Sequence, residues 1–197
     1  MDRGERETAE PIGLGLSGAW VRLEPRSEDN EAEFKELDAS WLAAPVMGGV
    51  TFAARTTFAP PMLVREQRTG NALGIVANQR LPGDVAAFVV FVDPARGRAG
   101  YGAEATALYI SHLFDSGARL VTMDVLSFNP VNRQLQRFGL VPQARMREHV
   151  YAAGRYWDVV VYSFSAAEFV RALAPHRHLM PGGTRHPVAL GSSRKPG

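Results

Sequence analysis

The chain has 197 residues, 46% of them hydrophobic and 21% charged, with a formal net charge of +2 and no cysteine. That balance suits one globular domain with ragged ends, and the lack of Cys excludes disulfides, thiolate metal sites and a cysteine nucleophile while being compatible with the cytosol. No apolar run is long enough to cross a bilayer, "MDRGERETAE" is too polar for a signal peptide, and so small a net charge does not argue for a nucleic-acid partner.

The basic residues are almost all Arg, with Lys only at Lys35 and Lys195, a bias that most simply reflects a GC-rich bacterial genome. Arg grips phosphates in a planar, bidentate way, so small anionic ligands stay open. Residues 1–17 read as a flexible lead-in, 18–170 as the folded domain, and 171–197, rich in Pro, Gly and Arg, as a disordered tail.

Along the domain, "AWVRLEP" alternates as a first strand. Ser27 or Asn30 can cap a helix with Phe34, Leu37 and Trp41 on its apolar stripe, stopped by Pro45. "VMGGVTFAARTTFAPP" is irregular and suits a loop over a site, with Met47, Phe52 and Phe58 as pocket lining. "MLVREQ", "ALGIVANQ" and "VAAFVVFV", separated by "RTGN" and "LPGD", form a meander. The last of these is apolar on both faces, which places it in the sheet centre. A helix follows over 101–116, with Ala105, Leu108, His112 and Leu113 at helical spacing. "RLVTMDVLSF" is the next strand. Asn129 and Pro130 open a short helix with Val131, Leu135 and Phe138 inward, and "QARMREHVY" and "RYWDVVVYSF" close the domain as a hairpin.

Two glycine clusters compete for attention. Gly13, Gly15 and Gly18 match G-x-G-x-x-G, but they follow a polar tail and precede a strand, the wrong context for a dinucleotide fingerprint. "PARGRAGYGAEA" leaves a buried strand and enters a helix, whose first amides have no intrahelical partner and face a positive dipole end. Gly97, Gly100 and Gly102 bare the backbone there, and Arg96 and Arg98 add charge, an arrangement suited to a diphosphate. An ordinary tight strand-to-helix turn is the alternative.

Three stretches in order, "VDPARGRAGYGAEA", "NPVNRQLQRFGL" and "ARMREHVYAAGRYWDVVVYS", resemble the GNAT superfamily of acyl-CoA-dependent N-acetyltransferases, and most closely its RimJ/RimL-type subgroup. The resemblance spans about residues 18–168. It implies an α/β (α+β) fold with a mixed, mostly antiparallel curved sheet, splayed at the central strand and flanked by helices. It implies acetyl-CoA as co-substrate, its pantetheine lying beside Phe91 and Val92 and its pyrophosphate on the amides of Gly97, Arg98, Ala99, Gly100, Tyr101 and Gly102. The adenosine phosphate would meet Arg96, Arg98, Arg133 or Arg137, and the acetyl group would point between Asn129 or Asn132 and the central strand. The sequence departs from the family where Gly97 takes an Arg place, Arg98 a Gly place, Leu135 a Tyr place, and Ala87 the place of a carboxylate.

Acetyl transfer needs a neutral amine, donors for the oxyanion and a proton or partner for the thiolate. His149 is the first choice of base because histidine as a residue type has its unperturbed pKa near neutrality, with an ordinary hairpin histidine as the alternative; Glu148 and Asp84 stand behind it. Asn132 is the candidate donor to the thiolate, and Asn129 doubles as a helix cap. His176, His178 and His186 have no partner carboxylates, so no metal is expected. The acceptor is an amine on a protein N-terminus, an amino acid or a metabolite, no membrane partner is implied, and a homodimer is left open. Three other readings compete: a catalytically silent CoA-binding regulatory or scaffold protein, a tailoring acyltransferase of secondary metabolism that uses another acyl-CoA, and RNA or ribosome association through the Arg-rich surface and tail.

Overall fold

The computed structural model describes residues 16–43, 60–97, 100–152 and 154–175, excepting the side chains of 40–43 (Trp41 among them) and 152. Met47, Phe52, Phe58, Arg98, Ala99, His176, His178 and His186 all lie outside the described residues. The strands are β1 (Leu16–Ser17), β2 (Val21–Pro25), β3 (Met62–Glu66), β4 (Ala72–Leu81), β5 (Val85–Val92), β6 (Leu120–Leu126), β7 (Ala144–Ala152) and β8 (Arg155–Phe164). They form one sheet in the order β1-β2-β3-β4-β5-β6-β8-β7. Every neighbouring pair is antiparallel except β5 and β6. The α/β class and the interior place of the doubly apolar strand both follow the sequence expectation.

A parallel pair needs a crossover connection, and helix α2 (Tyr101–Asp115) supplies it. Its Ala105, Leu108 and Leu113 are buried as the spacing requires, and His112 is half-buried beside the Tyr109 ring. Side chains alternate between sheet faces along each strand. Ala86 and Phe88 of β5, Val121, Met123 and Val125 of β6, and Val160 and Tyr162 of β8 therefore share one core with α2, and Val90 and Val92 pack against it. On the other face, Phe34 and Leu37 of α1 (Glu31–Ala43) cover Leu63 and Ile75. Each such large apolar side chain contributes about 1.5–3 kcal/mol on burial.

The two remaining helices refine the sequence reading. Helix α3 (Val131–Arg137) starts one residue later than Pro130, and the Val131 N–H donates to Asn129 Oδ1 at 3.0 Å. Helix α4 (Ala166–Leu173) was not expected, and it carries the folded chain past residue 170. Its signal is a capping box: Ser165 Oγ accepts from the Glu168 N–H, and Glu168 Oε2 accepts from the Ser165 N–H. Phe169 then packs on Phe164 and Phe114. At the other end, β1 pairs Leu16 with Leu23, so the ordered sheet begins inside the expected lead-in.

Candidate functional site

The parallel seam between β5 and β6 is short. Val85, Ala86 and Ala87 pair with Leu120, Val121 and Thr122, and pairing ends there although β5 continues to Val92 and β6 to Leu126. On its other edge β5 pairs with β4 along its whole length. The Asp93 N–H donates to Leu73 O at 2.8 Å. Antiparallel pairs alternate, so the backbone groups of Phe91 and Val89 also face β4, whereas those of Val90 and Val92 face the open gap. This corrects one expectation: of Phe91 and Val92, only Val92 turns its N–H and C=O into the gap, and Phe91 offers a buried side chain on the α1 face.

The chain leaving β5 closes on Asp93. Its side-chain Oδ1 accepts from the Ala95 N–H at 2.9 Å, and its carbonyl accepts from the Arg96 N–H at 3.0 Å and the Gly97 N–H at 2.8 Å. The Gly97 amide is therefore spent within the turn, a second correction to the set of amides expected for a diphosphate. A Cβ at Gly97 would lie 2.5 Å from Val92 Cγ1, so this glycine serves the close packing of turn against strand. Arg96 is also engaged: its guanidinium bonds Glu36 of α1 and lies 3.3 Å from Asp93, and it pins α1 to the turn.

Helix α2 opens differently. Its N-cap is Gly100, at φ +99°, a conformation that favours glycine. The first intrahelical bond runs from the Glu104 N–H to Gly100 O, and among the described residues no side chain caps the helix. The amides of the first turn, at Tyr101, Gly102 and Ala103, thus lie ahead of the ladder at the open end of the gap, where helix geometry concentrates positive potential. A Cβ on Gly102 would meet only Val92 Cγ2, at an ordinary 3.8 Å, so the protein's own packing does not demand a glycine there. A cleft of about 500 Å³ lined by Trp20, Glu66, Gln67 and Tyr101 adjoins this end; in it the Tyr101 hydroxyl donates to Glu66 Oε1 at 2.5 Å.

Sequence reasoning missed the residue that steadies this end. Glu104 is almost wholly buried, and its carboxylate accepts from the N–H groups of Ala19 at 2.7 Å, Trp20 at 2.9 Å and Val21 at 2.8 Å. It fastens the β1–β2 turn to the first turn of α2, which sets the Trp20 ring against Gly100. Gly18, a member of the rejected glycine pattern, is needed for this contact, since a Cβ there would fall 2.5 Å from Glu104 Cδ. A charged residue at a helical position next to buried Ala105 was the available signal.

The remaining candidates are dispersed. Asn132 is buried; its amide donates to Leu126 O at 2.8 Å and Asn129 O at 3.2 Å, and its Oδ1 accepts from the Tyr162 hydroxyl at 3.2 Å. These bonds hold the β6–α3 turn. Burial raises the Tyr162 hydroxyl above its ordinary pKa. Arg133 and Arg137 are exposed on α3, and Leu135 is core. His149 is exposed on β7, the edge strand, with β8 between it and β6, so the structure does not bring it to the gap. Glu148 sits in the bulge of the same strand, its N–H donating to Asp158 Oδ1. That bond, then Arg145, hold the Asp158 carboxyl below its usual range. Asp84 is exposed at the closed end of β5, in the turn from β4. Among the described residues no cluster of metal-ligating side chains forms, and no helix is long and apolar enough to cross a membrane.

No family model and no curated protein matches the sequence. Solved structures do match. A GCN5-related N-acetyltransferase from Brucella melitensis superposes with a TM-score of 0.66 at 21% identity, covering 87% of each chain. The fold is that of the GNAT acetyltransferases. The same GNAT fold is shared with Mycobacterium smegmatis RimJ, solved in complex with CoA-disulfide, at TM-score 0.62 and 16% identity over 80% of this chain and 90% of that one. It is shared too with spermidine N-acetyltransferase from Vibrio cholerae, solved in complex with CoA and spermine, at TM-score 0.65 and 14% identity over 77% and 98% of the two chains. At such identities the likeness is one of fold.

Proposed function

We propose that the protein is an acyl-CoA-dependent N-acetyltransferase of the RimJ/RimL type, which moves an acetyl group from the CoA thioester to a primary amine on a protein, an amino acid or a small metabolite. The observation that carries this reading is the β5–β6 seam, which stops at Ala87 and Thr122 and opens toward an uncapped helix N-terminus. A sheet interior normally pairs its backbone groups. One strand edge left open beside a run of helix amides offers an extended, amide-bearing chain the bonds a missing strand would make, and offers its diphosphate the helix end. Val92 and the amides of Gly100, Tyr101 and Gly102 are the proposed contacts, with Arg133 and Arg137 as the exposed cations on the neighbouring helix. N–H groups of Val90 and Val92 that face the gap are placed to stabilise charge on a thioester oxygen as the amine adds. Among neighbours of the same fold, the Vibrio cholerae protein was solved with spermine, which makes polyamines a natural part of the acceptor panel.

The test is incubation with acetyl-CoA and a panel of polyamines, amino acids and peptides with free α-amines, following thiol release and product mass. Thiol release matched by an N-acetylated product supports the proposal; background release with every amine refutes it. A second reading, a CoA-binding protein without catalysis, is favoured by Ala87 and by the buried Leu135, which leave two family places without polar groups. It requires micromolar acetyl-CoA binding with no transfer.

A further inference from the structure

One carboxylate stands on the lip of the gap with no structural employment. Beyond the last rung, Ala87 with Thr122, the next residue of β6 on the Thr122 face is Asp124. Val121, Met123 and Val125 belong to the α2 core, so alternation sends Thr122, Asp124 and Leu126 to the opposite face, the one that carries Ala87, Val89 and Phe91 of β5. Asp124 is exposed, and among the described residues it forms no ion pair or hydrogen bond through its side chain.

Among the described residues, the strand positions nearest it on that face carry no charge. Cross-strand partners share a face, which puts Val159, Val161 and Ser163 of β8 beside it. Across the gap lie Ala87, Val89 and Phe91, and behind them Gln79 and Ala77 of β4. On α1, Glu36 is already paired with Arg96. A salt-bridge network therefore does not account for Asp124. A negative charge flanked by neutral strand positions, next to the place where the thioester would lie, attracts a cation, and an alkylamine at neutral pH is one.

We propose that Asp124 receives the proton of the acceptor's ammonium group and so selects cationic primary amines, an inference that rests on the acetyltransferase reading above. The ammonium N–H proton passes to the Asp124 carboxylate. The freed nitrogen lone pair forms the C–N bond to the acetyl carbon, and the C–S bond breaks. The second N–H proton goes to the departing thiolate, giving free CoA and the amide, and Asp124 returns its proton to water.

The experiment compares the wild-type protein with Asp124→Asn and Asp124→Glu, using acetyl-CoA and the fastest amine among spermine, lysine and a peptide with a free α-amine. Acetyl-CoA binding is measured separately by calorimetry. The expected loss in kcat/KM for Asp124→Asn is about 100-fold or more near neutrality, in the range of general-base removal. The loss should shrink as pH rises toward the amine's own pKa, because bulk water then supplies the neutral amine. Asp124→Glu should recover part of the activity, and acetyl-CoA affinity should hold within about twofold in both variants, as expected for a surface substitution. Wild-type rates in Asp124→Asn with an unchanged pH profile overturn the inference. So does a pH-independent loss with weakened acetyl-CoA binding, which marks a structural role. Either result, obtained with a wild-type protein that acetylates one of these amines, overturns the inference alone; absence of transfer to every amine, with or without acetyl-CoA binding, overturns the acetyltransferase reading beneath it as well.

Discussion

Replacing Glu104 by Gln changes almost nothing in shape and removes one acceptor. In the native protein two backbone donors, Trp20 and Val21, share Oε2 and a third, Ala19, takes Oε1. A Gln must turn its NH₂ toward one of these N–H groups, so at least one charge-assisted bond is replaced by two opposed donors, and the surviving bonds become neutral ones of roughly half the strength. A hydrogen bond to a charged group contributes about 1.5–3 kcal/mol, and a buried donor left unpaired costs about 1–3 kcal/mol. Relief from burying a charge offsets part of this, which leaves a net loss of about 3 kcal/mol. For a chain of this size that is a fall in Tm of about 6–12 °C. Urea titration and calorimetry on Glu104→Gln measure it, and acetyl-CoA affinity should fall with it as the Trp20 turn loosens from the α2 N-terminus. A Tm drop under about 2 °C would show that desolvation of the carboxylate cancels its three bonds and that the anchor is not an anchor.

Gly74 pairs with Val92 at the head of the gap, and a Cβ there would come within 1.9 Å of the Phe91 carbonyl oxygen; Gly74→Ala should lose about 3 kcal/mol or more, since backbone must move, read as a shift in urea midpoint. Hydrogen bonds from Arg65 hold Glu24 and Glu33 below the ordinary value of 4.5. Their contribution to stability is therefore complete above about pH 4.5 and is lost as pH falls through the depressed folded-state values. Arg65→Met should flatten the dependence of urea midpoint on pH in that acid window. His149→Ala should leave kcat/KM for any amine that turns over within about twofold of wild type, as expected for an exposed edge-strand side chain.

Much of the fold was legible because local patterns were strong. The alternation of "AWVRLEP", the turns "RTGN" and "LPGD", and the doubly apolar "VAAFVVFV" mark strands whose partners are sequence neighbours, and the structure pairs β3, β4 and β5 in that way. Helix α4 escaped because its eight residues follow a strand directly; only the Ser165–Glu168 capping box marks it. The site was less legible for a physical reason. Whether an amide is available depends on where neighbouring carbonyls fall, and the sequence does not show that Asp93 O takes the Gly97 N–H. Strand parity likewise decides that Val92 rather than Phe91 faces the gap, and it is set by the register with β4. Arg96 looked like a phosphate ligand until tertiary packing set Glu36 against it. Residue type alone points to His149 as a base, and only the sheet order shows it to lie at the far edge.

The central claim is that the edge of β5 beyond Ala87 and the first turn of α2 are open to an acyl-CoA. Amide-resolved hydrogen exchange by NMR, with and without saturating acetyl-CoA, tests it most directly. The amides of Val90, Val92 and Gly102 should slow by about tenfold or more on saturation, while those of Val89 and Phe91, already turned to β4, should not change. Unaltered exchange at Val90, Val92 and Gly102 in the saturated protein would contradict the account.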